Sequence, residues 1–151
     1  VQNWLPGKVL IDDLMALDGK EKTVDNVRIA FQTPISVKWN KEKEEYTEIC
    51  PYTFEDALIF TNLELFRQDD LKKMGIITTI ANLLKKYTSA VDLQKAIFAK
   101  LESKGSFKKA DFAISLLYKK DFYEIAAPKY IQEGLEWMKK CLDTNGISDG
   151  K

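Results

Sequence analysis

The apolar residues of this chain change their spacing part-way along, and this change limits the folds that the chain can adopt. Apolar side chains recur at every second position from Val27 to Phe31 and again from Ile35 to Trp39, which is the spacing of a strand with one buried face. Beyond residue 53 they recur at helical spacing. The sequence therefore predicts an α+β fold, with a small strand or hairpin element packed with a predominantly helical bundle.

The charged stretch 40–45 separates the second alternating run from residues 46–49, so we predict a hairpin with a solvated turn. Thr53 is placed to cap a helix by accepting a hydrogen bond from the amide of Asp56, and Ser89 is placed to cap another, which Gly105 would end. The predicted helices cover residues 9–17, 53–66, 71–87, 90–102, 108–118 and 128–144.

The length of 151 residues suits one domain, so we expect residues 1–151 to form a single compact unit. Within it, residues 1–52 hold a helix and strands, 53–146 a helical cluster and 147–151 a frayed tail. The chain lacks an initiator Met and a signal peptide, which favours a fragment of a longer protein. No apolar run predicts a membrane span, so we expect a cytoplasmic protein whose Cys50 and Cys141 are reduced thiols.

Several classes of site are absent from the sequence. The chain contains no histidine, which argues against zinc sites and Ser/His/Asp catalysis. Neither GxxxxGK(S/T) nor GxGxxG occurs, so no nucleotide loop is present, and the DxD pair common in two-metal nucleases is missing. Lys and Arg together number 23, as do Asp and Glu, so any contact with DNA must come from a local patch.

Four blocks in the sequence occur in the order in which a known nuclease family has them. Residues 26–34 read NVRIAFQTP and residues 52–59 read YTFEDALI, followed by Asn62. Residues 109–117 read KADFAISLL, and residues 127–137 read APKYIQEGLEW. These blocks resemble the RIAYQ, (S/T)FEDAF…N, KxxFAxxLL and PxYIxEGLxW blocks of the OLD (overcoming lysogenization defect) family, and residues 3–6, NWLP, resemble the stretch after its Toprim acidic motif.

The resemblance implies a bacterial-type DNA endonuclease with an N-terminal ATPase and a C-terminal Toprim nuclease that is interrupted by helices. This chain would hold the last Toprim strands and the helices, whereas the Toprim Glu and DxD residues and the ATP site would lie upstream. The resemblance further implies Mg²⁺ or Mn²⁺ as cofactor in the full-length enzyme, DNA as substrate and the upstream halves as partners. A full-length homodimer is also expected, with no membrane partner and no cofactor tightly bound to this chain.

The family's active-site lysine falls on Lys109 and its downstream metal-binding glutamate on Glu55, while Lys108 is a candidate phosphate contact. A carboxylate can hold a divalent cation near a phosphate, and a lysine can neutralise charge on it. The residues alone also allow simpler roles, because Glu55 can complement a helix dipole and Lys109 can lie on a solvated face. Tyr52 stands where the family usually has an Arg, which puts one phosphate contact in doubt.

Two functions follow from these observations. The first is the C-terminal portion of a metal-dependent DNA endonuclease, which contributes the downstream part of a two-metal site and is inactive alone. The alternative is a non-catalytic helical module that binds protein or DNA. Clustering of the lysines on one face would favour DNA binding, because affinity for phosphates needs clustered cations; those considered are Lys108, Lys109, Lys119, Lys120 and Lys129.

Overall fold

The computed structural model describes residues 11–18, 20–39, 45–67, 75–103, 108–118 and 124–144. Contacts between residues group the chain into two compact units. The first unit combines residues 1–33 with 129–151, and the second is the continuous stretch 34–128.

The second unit begins with the predicted hairpin. Strand β3 (Ile35–Lys38) pairs antiparallel with strand β4 (Tyr46–Ile49), with Ile35 opposite Ile49 and Lys38 opposite Tyr46. Alternation gives the pair one buried face, because Val37 and Ile49 are both buried while their neighbours are exposed or half-buried. The hairpin is confirmed, and residues 40–44 of its predicted turn 40–45 lie outside the described residues.

The helix that follows the hairpin starts as predicted but ends early. Helix α2 (Phe54–Thr61) is capped by Thr53, whose side chain accepts from the amide of Asp56. One helix through residue 66 was predicted, and this prediction is wrong: Asn62 leaves helical geometry at φ −115° and ψ 35°, and a separate short helix α3 (Leu63–Phe66) follows. The break places the side chain of Asn62 where it bonds to a distant segment, described below.

Three further helices complete the second unit. Helix α4 (Gly75–Lys86) confirms most of the predicted helix 71–87, whose first turn lies outside the described residues. Helix α5 (Ala90–Glu102) is capped by Ser89, which accepts from the amide of Asp92 as predicted, while Gly105 lies outside the described residues. Helix α6 (Lys109–Leu117) matches the predicted helix 108–118 within one residue at each end.

The core of the second unit lies between the hairpin and these helices. One contiguous cluster of buried apolar side chains joins β3, β4 and the helices α2 to α6. Its fully buried large members are Phe66, Ile59, Ile77, Leu93 and Ile97. The nearly continuous apolar surface of α2 predicted burial on more than one side, and residues 55–60 are indeed all buried.

The first unit contains helix α1 (Ile11–Ala16), strands β1 (Thr23–Val24) and β2 (Val27–Arg28), and helix α7 (Lys129–Thr144). A single strand over residues 27–31 was predicted, but the strand covers only Val27–Arg28, and one further backbone hydrogen bond joins the amide of Ile29 to the carbonyl of Lys22. Asp25 turns the chain between the two strands with φ 52°, a conformation that Asp tolerates better than most residues.

Helix α7 follows Pro128 as predicted, and its expected end at residues 145–146 lies outside the described residues. Within this unit α7 lies against the chain after β2, where Gly134 faces the Cβ atom of Ala30. A Cβ atom added at Gly134 would lie 3.5 Å from it, an ordinary contact distance. The predicted apolar stripe of α7 is partly exposed, notably at Leu135 and Leu142.

The described residues thus form seven helices and two antiparallel two-stranded sheets, and the predicted α+β class with helix dominating is confirmed. Across those same residues, no helix combines the length and the apolar character needed to cross a bilayer. Neither Cys50 nor Cys141 forms a disulfide.

Candidate functional site

The N-terminus of α2 fixes the position of Glu55. Thr53 and Asp56 form a reciprocal capping box, in which the carboxylate of Asp56 accepts from the amide of Thr53 at 2.6 Å and from that of Tyr52 at 2.9 Å. Asp56 is fully buried, so these bonds hold the first turn rigidly. Glu55 is the second residue of this turn, and 8% of its surface is exposed.

Helix α6 positions Lys109 from the other side. Phe112 and Leu116 are buried, and the ring of Phe112 stacks on that of Phe66 with centroids 6.2 Å apart. Lys109 begins the helix one turn before Phe112, so the two residues share a face. The aromatic stack therefore anchors the helix that carries Lys109.

The two candidate residues meet. The ammonium nitrogen Nζ of Lys109 lies 3.1 Å from the carboxylate oxygen Oε1 of Glu55. The Glu55 side chain is 11% exposed and the Lys109 side chain 63% exposed, so one partner is mostly covered and the other faces solvent. The lysine has three donors and can keep this partner while it donates to a second anion.

A cleft of about 390 Å³ adjoins this ion pair. Glu55 and Lys109 are its charged lining residues, and the remaining lining is apolar. The apolar lining includes Phe54, Leu58, Phe112, Leu116, Leu117 and Ile125. The site thus combines an accessible cation, a covered carboxylate and an apolar cleft within one unit.

Comparison with known proteins gives one informative match. The chain is 30% identical over 135 residues to Endonuclease GajA of Bacillus cereus (strain HuB5-5). The chain is distantly related to an endonuclease. The alignment covers 87% of this chain and 18% of the relative, so the chain spans about a fifth of that protein's length. No family model matches the chain, and no solved structure does.

The metal expected from the resemblance would find one suitable ligand here. Divalent Mg²⁺ and Mn²⁺ prefer several oxygen ligands, and a carboxylate such as Glu55 is the right donor type. Within the described ranges, however, no group of three or more His, Cys, Asp or Glu side chains is placed to hold a metal ion. The described residues therefore do not bring together three side chains that could hold a metal ion.

Lys108 and Tyr52 flank the pair in sequence but have different surroundings. Lys108 is the exposed N-cap residue of α6, and its side chain makes no capping bond. Tyr52, which stands at the position where the resembling family usually has an Arg, packs its ring 4.9 Å from that of Phe98 on α5. This packing accounts for the position of the Tyr52 side chain, which remains partly exposed.

Asn62 has a role that sequence reasoning missed. Its side-chain amide donates to the carbonyl of Ala126 at 2.8 Å and to that of Leu58 at 2.9 Å, while its Oδ1 accepts from the amide of Ala126 at 2.8 Å. This pairing fastens the segment before α7 to the end of α2. In the sequence, the only signal for this role is the position of Asn62 after the FED block, because its partner Ala126 lies 64 residues away.

The lysines proposed as a cluster are not all described. Lys119 and Lys120 lie outside the described residues. Lys129 belongs to the first unit, where its Nζ lies 3.9 Å from the Oε1 of Glu133. The structure therefore brings together Glu55 and Lys109, with Lys108 next to Lys109 in sequence.

Proposed function

We propose that this chain is the C-terminal portion of a metal-dependent DNA endonuclease of the OLD family, and that it contributes the downstream wall of a two-metal active site. The carrying observation is the 3.1 Å contact between Glu55 and Lys109. These two residues are far apart in sequence, and the family resemblance selected both of them. The relation to an endonuclease over 135 residues supports the same proposal.

In this proposal Lys109 acts on the phosphate. Its ammonium group is exposed and positioned by the anchored α6, so a phosphodiester can approach it without rearrangement of the core. A fixed cation beside the reacting phosphate stabilises the charge that develops on the phosphoryl and leaving oxygens. Glu55 balances the lysine's charge before the substrate arrives and keeps the ammonium group in place.

Glu55 would also be the chain's ligand to Mg²⁺ or Mn²⁺. The other ligands would come from Toprim residues upstream, alongside an ATPase in the same protein. When bound, such cations supply charge neutralisation at the phosphate and an activated water.

The test uses the longest natural protein that contains this sequence, with supercoiled plasmid DNA and Mn²⁺. Lys109→Met and Glu55→Gln should each lower the rate of cleavage by at least about 100-fold, the usual cost of removing one group that stabilises a transition state. Lys95→Met and Glu102→Gln, which replace exposed residues of α5, are the matched controls and should cut at the wild-type rate. Cleavage at the wild-type rate by both site variants would refute the proposal.

A second candidate, a non-catalytic helical module that binds protein or DNA, is favoured by one observation. The described residues place no group of three acidic or other metal-binding side chains together. The same experiment separates the two functions, because a binding module would tolerate Glu55→Gln and Lys109→Met without loss of cleavage.

A further inference from the structure

The function proposed above does not require the apolar cleft beside the ion pair. A lysine that contacts a phosphate needs solvent access, and a carboxylate that binds a metal needs other oxygen ligands. Neither needs an adjoining cleft of about 390 Å³. That volume lies at the lower end of the range of about 300–1,000 Å³ that is typical of small-ligand sites.

The lining of the cleft suits a flat, uncharged ring. Phe54 lines it with 46% of its surface exposed, and Leu117 lines it with 66% exposed. Phe112 contributes a buried ring to the same lining. Exposed apolar side chains that surround a concave surface are typical of a binding site, and an accessible phenylalanine provides a face on which a base can stack.

The charge beside this lining fits a nucleotide. Lys109 is the cation of the cleft, and its exposed ammonium group retains free donor capacity beyond Glu55. Glu55 adds a negative charge that is mostly covered and already paired, so the accessible charge at the cleft is positive. An apolar cleft next to one exposed cation is complementary to a base linked to its phosphate.

We propose that this cleft receives an unpaired base of a DNA strand, with Phe54 against the base and Lys109 on the adjacent phosphate. The inference rests on the proposed function and specifies its substrate as DNA with a base outside the duplex stack. A paired base cannot enter a side cleft, so the protein would prefer single-stranded or mismatched DNA.

Fluorescence anisotropy at low salt tests this inference with the 151-residue chain, a labelled oligothymidylate and a matched duplex. The wild-type chain should bind the single strand more tightly than the duplex. Phe54→Ala should weaken binding to the single strand by about tenfold, the usual effect of removing one stacking ring, and leave the duplex unchanged. Lys109→Gln should weaken both, because both carry phosphates.

Two further variants keep the test independent of folding. Ala113→Phe adds a ring to the lining of the cleft from an exposed position on α6, and should abolish the preference for the single strand while the circular dichroism spectrum stays native. Tyr118→Ala removes a ring that is 77% exposed and lies outside the cleft, and Lys95→Gln removes an exposed cation of α5. Both controls should bind the single strand as the wild type does.

The outcomes are distinct from those of the cleavage test. Equal binding of single strand and duplex, no binding of either, or an unchanged affinity in Phe54→Ala would overturn the base-binding inference and leave the nuclease proposal to its own experiment. Thymidine monophosphate that competes as well as the oligonucleotide would overturn the assignment to a DNA strand. Normal cleavage by both Lys109→Met and Glu55→Gln, together with weaker strand binding in Phe54→Ala, would overturn the nuclease proposal alone.

Discussion

Glu55 and Asp56 are adjacent carboxylates with different tasks. Asp56 is fully buried and accepts hydrogen bonds from the amides of Tyr52 and Thr53, so its carboxylate stabilises the start of α2. Glu55 is directed to the edge of the cleft, where its partner Lys109 is largely solvated. Because water screens an ion pair with one solvated partner, this pair contributes little to stability. The main effect of the pair is to hold the two charges in position at the cleft.

Lys109→Met should therefore fold almost as well as the wild type. We expect the free energy of unfolding in urea to change by less than about 1 kcal/mol, the usual range for such pairs. Asp56→Ala is the contrasting variant and should lose about 2–4 kcal/mol, since it removes the capping box and leaves the partly buried amides of Tyr52 and Thr53 without this acceptor. A loss in Lys109→Met as large as that in Asp56→Ala would show that the pair is structural.

Cys50 gives a prediction that depends on pH. Burial, and then the nearby carboxylate of Asp56, raise the pKa of the Cys50 thiol above its usual value of 9.0. The thiolate is the reactive form, so alkylation of Cys50 by iodoacetamide should reach half its maximal rate at a higher pH than alkylation of the same residue in the urea-unfolded chain. The folded chain should correspondingly lose stability as the pH rises past the ordinary thiol pKa.

Site-resolved mass spectrometry measures this reactivity at each pH. The comparison uses the pH midpoint, because shielding of a partly buried thiol lowers the rate at every pH without moving the midpoint. Equal midpoints for the folded and unfolded chains would contradict the predicted shift.

At the scale of elements, local signals were sufficient wherever the stabilising partners are close in sequence. The cap of α2 by Thr53 needs only Asp56, three residues away, and the β3–β4 hairpin follows from alternation around a charged turn. The break at Asn62 was missed because this residue bonds to the backbone of Ala126, which lies 64 residues away and is not part of any pattern around residue 62. The strand predicted from Val27 was too long for a similar reason, since the length of its partner decides how far it pairs.

The site shows the same limit. No periodicity placed Glu55 beside Lys109, because the contact depends on how α2 and α6 pack. The family resemblance named both residues, and the physical reading of the residues alone also allowed a solvated lysine and a glutamate that complements the helix dipole. The apolar cleft was not anticipated at all, since its lining comes from two helices and the segment at Ile125.

Asn62 should hold the segment around Ala126 in place. Asn62→Ala removes three hydrogen bonds and leaves the amide and carbonyl of Ala126 without these partners, so we expect a loss of about 2–4 kcal/mol in unfolding free energy. Hydrogen exchange at the Ala126 amide should also accelerate, because that amide donates to Asn62. Asn82→Ala, an exposed position on α4, is the matched control and should change neither quantity. Unchanged exchange at Ala126 in Asn62→Ala would show that the bonds do not fix the segment.

On the scale of the whole molecule, the chain is balanced in charge, with 23 basic and 23 acidic residues. Any affinity of this chain for DNA must then come from a few local contacts, and a protein that neutralises few phosphates shows a weak dependence of binding on salt. A site that holds two cations needs several carboxylate ligands, and Glu55 would supply one of them. Both features are what the proposed function expects, because in that proposal the other metal ligands come from residues upstream.

The isolated 151-residue chain should therefore show no nuclease activity. Purified chain incubated with supercoiled plasmid and Mg²⁺ or Mn²⁺ should leave the plasmid intact on an agarose gel, because the described residues include no group of three or more side chains that could hold a metal ion. A Lys109→Met preparation run in parallel controls for contaminating enzymes, whose cleavage would persist in that variant. Mn²⁺-dependent cleavage by the wild-type chain that disappears in Lys109→Met would contradict the prediction, because it would mean that residues 1–151 complete the metal site by themselves.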